Sequence, residues 1–460
     1  MKITFLGAAD AVTGSRHLLD IGEQRLLLDC GLFQGYKYLR ERNWTGLGVA
    51  AASIDAILLS HAHLDHSGYI PALRSQGFQG QTFSTSATRD LCEVLLLDSA
   101  HLQEEDARRA NRWGTSKHAK ALPLYTVADT KKALAHFVGL PRDGRLKLGD
   151  ADIRFTPIGH LLGACALSIT ANGQTLVFSG DVGRSNDLLM PAPQRVEEAD
   201  VLLIESTYGN RLHPAEDVQV KLAQVLRNTF KRGGSVLLPS FAVGRAQALL
   251  LVLQRLREAG ELAQDVPIYL DSPMAIQATE LTLKHKKLLR ISASEAGGLC
   301  DGVHLITKPA ESVKLATSLG GTKASSKSRQ SIVISASGMA TGGRVLNYIE
   351  TMAPQARHHI AFPGFQVGGS RGAKMVQGAR EIKLHGHFVS VNAEISHLEG
   401  FSGHADADGL MAWLRGFKRA PAQVFVVHGE PEASDALRSR IQDELGWRVR
   451  VPQHLETVEL

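Results

Sequence analysis

The sequence predicts an α/β protein in which a layered αβ domain is interrupted near residue 208 and resumes near residue 388. Short apolar runs separated by turns fill the first part, which predicts neighbouring strands. After residue 208 strands alternate with helices, a pattern typical of a parallel sheet. Strand-like runs return from about residue 388. The 460 residues are also more than a single core usually organises.

The first part is predicted from apolar runs that end in glycine-containing turns, and from one long stretch with helical spacing. In chain order, its predicted elements are strands 3–6, 17–21, 25–29 and 54–59, helices 87–110 and 126–137, and strands within 146–169, 176–181 and 201–206.

The inserted part shows regular alternation of strands and helices. Its predicted elements are helix 215–232, strand 235–238, helix 244–259, strand 267–271, helix 273–289, strand 332–335 and helix 343–351. Residues 311–331 are rich in Ser, Thr, Gly and Lys and are predicted to form a flexible loop or lid. After the insertion, strand 423–427 and helix 431–445 complete the first domain.

Composition bounds the class of protein without naming a function. Hydrophobic residues at 44% and charged residues at 21% indicate folded cores. The net charge of +5 is only a weak indication of a polyanionic partner. Aromatic residues at 6% argue against an extended base-stacking platform. The four cysteines are scattered with no CxxC pair, and neither a leader peptide nor an apolar run of about 18 residues is evident, so a cytoplasmic protein without a membrane span is expected.

The run His61-Ala62-His63-Leu64-Asp65-His66 is the strongest functional signal. It follows the predicted strand 54–59, and loops at the carboxyl ends of strands commonly build the sites of α/β proteins. Imidazole and carboxylate together suit zinc or a similar first-row metal. Four such side chains within six residues therefore predict a metal site rather than a solvated turn.

Three further side chains of ligand type follow apolar strands. His160 lies among glycines and apolar residues, Asp181 follows Val177-Phe178-Ser179-Gly180, and His428 ends Val424-Phe425-Val426-Val427. Each alone could be a structural residue. Together the seven candidates are enough for two metals if one carboxylate bridges them, and a two-metal site can activate water for a phosphoryl displacement. The candidates are His61, His63, Asp65, His66, His160, Asp181 and His428.

This arrangement resembles the metallo-β-lactamase superfamily, and longer motifs narrow the resemblance to its β-CASP branch of RNA-processing metallohydrolases. It extends over nearly the whole chain. The additional matching segments are Glu205-Ser206-Thr207-Tyr208-Gly209, 238–245, Asp271-Ser272-Pro273-Met274-Ala275, 335–344 and Phe401-Ser402-Gly403-His404-Ala405-Asp406. The resemblance implies an αββα sandwich over 1–207 and 388–460, with an inserted β-CASP domain over 208–387.

The resemblance also implies the roles of the candidate residues. His61, His63 and His160 would hold one zinc, and Asp65, His66 and His428 the other, so that two Zn²⁺ per chain share Asp181. The catalytic set would be Asp65, which orients water, His404 as general acid, and Glu205, which polarises His404. A histidine at 428, where DNA-directed members tend to have an apolar residue, favours RNA.

The small-residue loop after strand 332–335 precedes a helix, where backbone amides bind phosphate well. Taken with that resemblance, the predicted substrate contacts are Ser337, Gly338, Thr341, Gly342, Ser402, Arg245 and Arg344, with Arg371 and Lys374 as further candidates for backbone phosphates.

The expected function is zinc-dependent hydrolysis of single-stranded RNA. Endonucleolytic cleavage is favoured over 5′-exonucleolytic cleavage because the sequence lacks the long C-terminal extension of the exonucleolytic type. Two alternatives stay open: a small-molecule metallohydrolase of the same fold, and a catalytically inactive RNA-binding scaffold. The oligomeric state, monomer or homodimer, is not predicted.

Overall fold

The computed structural model describes residues 1–114, 116, 118–321, 330–364 and 366–460. It divides the chain into two compact units. The first comprises Met1–Leu212 and His404–Leu460, and the second comprises His213–Gly403.

The elements of the first unit that precede the insertion are mostly short strands. In chain order they are β1 (Lys2–Gly7), β2 (Arg16–Ile21), β3 (Gln24–Leu28), α1 (Lys37–Glu41), β4 (Ala56–Leu58), α2 (Leu64–Ser67), α3 (Ile70–Ser75), β5 (Gln81–Thr85), α4 (Ser86–Trp113), α5 (Val127–Leu134), β6 (Phe137–Leu140), β7 (Arg145–Leu148), β8 (Ala151–Pro157), β9 (Cys165–Ala171), β10 (Gln174–Phe178) and β11 (Val201–Glu205).

The inserted unit alternates strands with helices over most of its length. Its elements are α6 (Val218–Lys231), β12 (Val236–Pro239), α7 (Arg245–Glu258), β13 (Ile268–Asp271), α8 (Pro273–Lys284), α9 (Ala293–Gly297), β14 (Val303–Leu305), α10 (Pro309–Leu319), β15 (Ile332–Ser335), α11 (Val345–Met352), β16 (His359–Pro363), α12 (Arg371–Val376), β17 (Glu381–Leu384), β18 (His387–Ser390) and β19 (Glu394–Leu398). The chain then returns to the first unit with α13 (Ala407–Leu414), β20 (Gln423–Val427), α14 (Pro431–Leu445), β21 (Val449–Arg450) and β22 (Thr457–Glu459).

Two seven-stranded sheets form the first unit. Their strand orders are β22-β1-β2-β3-β4-β5-β6 and β21-β20-β11-β10-β9-β8-β7. Apolar side chains from both sheets, among them Leu19, Leu26, Leu167 and Phe425, are buried in one common core. Helix α4 packs on β5 and β6, and α14 on β20 and β21. The predicted αββα sandwich is thus confirmed, because each sheet buries one face against the other and helices pack beside its strands.

Local sequence explains where the long helix of this unit begins and ends. The Thr85 hydroxyl accepts a hydrogen bond from the Thr88 amide and so caps the first turn of α4. At the other end, Gly114 has a φ of 60°, a left-handed conformation that commonly terminates helices. The helix therefore extends beyond the predicted 87–110 at both ends.

The inserted unit is built on a six-stranded sheet of order β14-β13-β15-β12-β16-β19, in which every pair is parallel. Strands β17 and β18 form a separate antiparallel pair. The predicted parallel-sheet α/β insertion is therefore confirmed. Its apolar core includes Leu237, Val333, Ile349 and Phe362.

Two details differ from the sequence-based expectations. The prediction of a flexible loop over 311–331 is wrong for its first part, because Ser312, Ala316 and Leu319 are buried at helical spacing on α10. Residues 322–329 of that segment lie outside the described residues. The domain boundary predicted from the sequence assigns residues 388–403 to the first domain. In the structure these residues belong to the inserted unit, because β19 pairs with β16.

No helix among the described residues is long and apolar enough to cross a membrane.

Candidate metal centre

The loop that follows β4 carries four side chains of ligand type to one end of its sheet. β4 is buried and ends at Leu58, with His61 shortly beyond it. His63 lies directly before α2, and that single helical turn presents Asp65 and His66. His61 and His66 are fully buried. The loop therefore directs ligand atoms into the protein rather than into solvent.

Asp29 orients this loop, although the sequence analysis did not single it out. One of its oxygens accepts a hydrogen bond from the Ser60 amide at 2.7 Å, and the other lies 2.6 Å from His66 Nδ1. When His66 donates from Nδ1, its Nε2 is left as the ligand atom, an arrangement typical of metal-binding histidines. The signal in the sequence was the position of Asp29 directly after a buried strand, which also marks Asp181.

The other three predicted ligands come from the loops after β8, β10 and β20. His160 and His428 have positive φ values of 58° and 55°. A Cβ on Gly183 would lie 2.1 Å from the His160 backbone nitrogen, so only glycine permits this approach. The His428 amide donates to the Ala8 carbonyl at 2.7 Å, which fixes the loop after β20 against the first sheet.

One group of ligand atoms consists of three imidazoles and one carboxylate oxygen. His63 Nδ1 lies 3.0 Å from His61 Nε2 and 3.1 Å from His160 Nε2. Asp181 Oδ2 lies 3.4 Å from His61 Nε2 and 3.3 Å from His160 Nε2. All four ligand atoms lie within 4.8 Å of one another, so they can hold a single ion.

A second group lies on the other side of the same carboxylate. His66 Nε2 and His428 Nε2 are 2.9 Å apart, and Asp65 Oδ2 lies 3.4 Å from His428 Nε2. Asp181 Oδ1 lies 3.3 Å from His66 Nε2, and it is buried without a hydrogen bond from any described residue. Asp181 thus presents one oxygen to each group.

The protonation of the first group suits a metal ion. Burial lowers the pKa of His61, His63 and His160, that of His63 to about 4, so these imidazoles are neutral at pH 7 with lone pairs available. Nitrogen lone pairs that face one another repel unless a cation lies between them. Nitrogen and oxygen donors are those that zinc and similar ions prefer.

The second group is also suited to positive charge. Burial by itself lowers the pKa of His66, but the carboxylates of Asp181, Asp29 and Asp65 outweigh it and raise that pKa well above its ordinary value. Burial likewise opposes ionisation of Asp181, yet the surrounding imidazoles, His66 and His428 foremost, hold its pKa well below the usual range. A site that keeps carboxylates ionised and stabilises a cation fits a second metal ion.

His404 lies beside this centre and is paired with Glu205. An isolated bridge joins it to Gly183, and its Nδ1 lies 3.3 Å from Glu205 Oε1. Its ring lies 4.5 Å from that of His160. Glu205 is fully buried, and its two oxygens also accept hydrogen bonds from the amides of residues 182 and 207. Glu205 is therefore held in place, and it in turn orients His404.

The carboxylate neighbours also affect the charge of His404. Burial lowers its pKa, but Glu205 and Asp181 outweigh burial, so that the pKa lies above the ordinary value. The imidazole can therefore carry a proton near neutral pH.

The predicted phosphate-binding residues belong to the inserted unit. Ser337 Oγ accepts a hydrogen bond from the Thr341 amide, in the loop that also contains Gly338 and Gly342. Ser402 is buried. The role of each in binding phosphate stays a prediction.

The two predicted arginines of that unit differ in their surroundings. Arg344 lies 2.7 Å from the buried Asp271 carboxylate and donates to the carbonyls of residues 306 and 307. Arg245 begins α7, with its guanidinium against the backbone of Gly364. These contacts of Arg344 are all with residues of the inserted unit, and its predicted contact with phosphate stays a prediction.

Models of known protein families match most of the chain. A model described as a beta-lactamase superfamily domain matches residues 24–239. One described as a Beta-Casp domain matches residues 246–375, and one described as a Zn-dependent metallo-hydrolase RNA specificity domain matches residues 389–452.

Individual relatives match over nearly their whole length or most of it. Ribonuclease TTHA0252 of Thermus thermophilus is 36% identical over 440 residues, which cover 95% of each chain. The transcription termination factor FttA of Pyrococcus abyssi is 31% identical over 490 residues, covering all of this chain and 71% of that protein. A crystal structure of a protein of unknown function from Enterococcus faecalis aligns over 100% of this chain and 99% of its own, with a TM-score of 0.52 and 14% identity, which bears on the fold alone.

Proposed function

This chain belongs to the β-CASP branch of the metallo-β-lactamase superfamily, and its structure brings together histidine and aspartate groups that could hold metal ions. We propose that it is a zinc-dependent ribonuclease that hydrolyses single-stranded RNA. Internal cleavage is proposed over digestion from the 5′ end. The family model for RNA specificity and the ribonuclease relative support RNA as the substrate class.

The observation that carries the proposal is the Asp181 carboxylate with one oxygen toward each ligand group. His61, His63 and His160 would hold one zinc with it, and Asp65, His66 and His428 the other. Two such ions, when bound, would supply an activated water and would neutralise charge on the phosphoryl group.

His404 supplies the proton that the leaving oxygen requires. With Nδ1–H donated to Glu205, Nε2 is the nitrogen that remains to contact the substrate. Glu205 acts as a positioning residue, because two backbone amides fix its carboxylate and the carboxylate in turn fixes the imidazole. General acid catalysis of this kind contributes typically 10²–10⁴-fold to rate.

Asp65 has a second role besides ligation, as the residue that orients the attacking water. Its side chain is 20% exposed, whereas that of Asp181 is 2% exposed. Of the two carboxylates, Asp65 is therefore the one that incoming water can reach.

The flanking phosphates of the RNA are assigned to the small-residue loop before α11 and to nearby polar side chains. These contacts are Ser337, Gly338, Thr341, Gly342, Ser402, Arg245 and Arg344. Backbone amides near a helix start support the assignment of the loop.

The test uses 5′-labelled single-stranded RNA and the zinc-loaded protein. Cleavage should stop with a chelator and return with added zinc, and metal analysis should find two zinc ions per chain. A duplex of the same sequence should be cut far more slowly. Absence of metal-dependent cleavage of any RNA would overturn the assignment.

A circular single-stranded RNA separates internal cleavage from exonucleolytic cleavage, because a circle has no 5′ end. Conversion of the circle to a linear product supports the endonuclease. Digestion of linear RNA with the circle left intact would require the exonuclease instead.

The role of His404 is tested by His404→Ala, with His101→Ala as the matched control, since His101 is an exposed histidine on α4. His404→Ala should lower kcat on RNA by roughly 10²–10⁴-fold. It should have much less effect on bis(p-nitrophenyl) phosphate, whose leaving group needs no proton. Equal losses on both substrates would show that His404 is not the proton donor.

A further inference from the structure

An exposed group of aromatic side chains lies in the first unit, in and around α1. Tyr36, Tyr38 and Trp44 are 47%, 58% and 63% exposed. Among the described residues, the other exposed aromatic side chains are Trp113 and Phe388, which stand singly. Three of the five exposed aromatic side chains of the described residues therefore lie within nine residues, here called the aromatic segment (36–44).

The aromatic segment is rigidly attached. Leu39 is buried in a small apolar cluster with Ala11 and Phe33. The Arg42 guanidinium makes two hydrogen bonds of 2.8 Å to the Asp10 carboxylate. These contacts hold the backbone that carries the exposed rings, so a ligand would bind without the cost of ordering that backbone.

Asn43 strengthens the attachment from inside. Its side-chain oxygen accepts from the Phe33 amide at 2.9 Å and from the buried Arg16 at 2.9 Å, and its side-chain nitrogen donates to the Phe33 carbonyl at 2.8 Å. Both polar atoms of the Asn43 side chain are thus hydrogen-bonded to buried groups, which anchors the chain directly before Trp44.

The exposed surface of the segment combines aromatic faces with positive charge. The rings of Tyr36 and Tyr38 are nearly parallel, with an interplanar angle of 18° and centroids 5.9 Å apart. In the sequence, Lys37 lies between the two tyrosines and Arg40 follows two residues after Tyr38, and both side chains are exposed. Lys37 makes only an exposed pair with Glu41 at 3.5 Å, and the Arg40 side chain has no hydrogen bond or ion pair with the described residues.

The aromatic segment follows an irregular stretch whose backbone is hydrogen-bonded to the metal-binding loop. The Cys30 amide donates to the His66 carbonyl at 2.7 Å, and the Leu32 amide donates to the Leu64 carbonyl at 2.8 Å. Tyr36 is four residues beyond Leu32, so its Cα lies within about 14 Å of that point even if the chain is fully extended. The start of the aromatic segment is thus connected, through Leu32, to the loop that carries the candidate metal ligands.

We propose that the aromatic segment is a stacking site for RNA bases that flank the scissile phosphate, with Lys37 and Arg40 contacting the adjoining phosphates. Proteins that bind single strands without sequence preference combine aromatic platforms with cationic side chains in this way. A protein partner is less favoured, because the aliphatic residues of the segment and its neighbourhood, Leu39 and Leu47, are buried and not part of the exposed surface. The proposal rests on the proposed action on RNA.

The experiment uses the zinc-loaded full chain and a set of single-stranded oligoribonucleotides, each with one base in turn replaced by an abasic ribose. For the wild type, kcat/KM should fall at one or two specific positions by about 5- to 150-fold, the range expected for one stacked base. For Tyr38→Ala and Trp44→Ala, kcat/KM on the intact RNA should already be lowered by that factor. Removing the base at the matching position should then lower kcat/KM of these variants little further. Tyr38→Phe should behave as the wild type, and Trp113→Ala is the control for loss of an exposed tryptophan.

If the rings are only structural, Tyr38→Ala and Trp44→Ala should lower kcat/KM on all substrates by the same factor. The dependence of kcat/KM on the position of the abasic ribose would then be the same as in the wild type, which would overturn the proposal. Unchanged kinetics together with altered oligomeric state of Trp44→Ala in light scattering would identify a protein interface and would also overturn it. Absence of metal-dependent RNA cleavage by the wild type would instead be the failure of the proposed function, and is recognised before any variant is made.

Discussion

Replacing Asp29 by asparagine should weaken the binding of the second metal ion without unfolding the protein. One Asp29 oxygen accepts from the Ser60 amide and the other lies 2.6 Å from His66 Nδ1. An amide has a single oxygen, so it can serve only one of these donors. If its NH₂ group faces His66, that imidazole must accept at Nδ1 and carry its proton on Nε2, the atom required for ligation.

The size of the effect follows from the loss of a carboxylate partner to a metal-binding histidine. Such losses typically weaken metal binding 10- to 100-fold, which corresponds to about 1.4–2.7 kcal/mol. The first group should be affected less, since its ligand atoms come from His61, His63, His160 and Asp181. The expected pattern is one tight zinc and one weakened zinc per chain.

Competition with a chromophoric chelator measures both affinities, and metal analysis after dialysis gives the stoichiometry. Circular dichroism confirms that the variant is folded. Asp152→Asn is the matched control, because Asp152 is an exposed carboxylate on β8. Two zinc ions held by the folded Asp29→Asn protein with wild-type affinity would refute the reasoning.

Three further predictions concern packing, a buried ion pair and pH. Gly183→Ala should place a Cβ 2.1 Å from the His160 backbone nitrogen, and should lower both the melting temperature and the zinc content, at a cost of about 1–3 kcal/mol. Arg344→Gln should destabilise the chain by about 3–5 kcal/mol in denaturant titrations, because it leaves the buried Asp271 carboxylate without its charge partner. Burial lowers the pKa of His358 to about 4, so the unfolded chain binds its proton first and stability should fall as pH drops from about 6.5 to about 4, by up to about 3 kcal/mol.

Each of these has a matched comparison. Gly297→Ala adds a methyl group with nothing within 4 Å on α9, where alanine is the better helix former, so it should not lower stability and should leave zinc content unchanged. Arg344→Lys keeps a charge beside Asp271 and should lose less stability than Arg344→Gln. His358→Asn should lower the pH dependence, and an identical stability profile from pH 7 to pH 4 would contradict the assignment to His358.

Much of the site could be predicted from the sequence because its ligands follow apolar strands. Buried strands have a short-range signature, and residues that follow them within about three positions are placed at sheet edges by the regular geometry of the strand. The run 61–66, His160, Asp181 and His428 are all of this kind. Asp29 has the same position and could have been found by the same reasoning.

Other features depend on contacts between residues that are distant in sequence. Helix α10 lies in a stretch whose composition suggests a loop, and its few apolar residues matter only because they meet the core. The pairing of β19 with β16 moves the domain boundary, and strand pairing across tens of residues has no local signature. In the sequence, Arg344 lies in a glycine-rich segment and is predicted to contact phosphate. Its ion pair with Asp271, at 2.7 Å, depends on a residue 73 positions earlier and has no local signature.

By itself the sequence determined the αβ class, the interrupted domain and the candidate metal-ligand side chains, because hydrophobic periodicity and residue chemistry are local properties. Only the tertiary structure decided that Asp181 presents one oxygen to each ligand group, that Asp29 faces Nδ1 of His66 and leaves Nε2 for ligation, and that the rings of the aromatic segment are exposed. These are matters of distance and burial, which arise when separate strands and loops pack together, and no short stretch of sequence contains them.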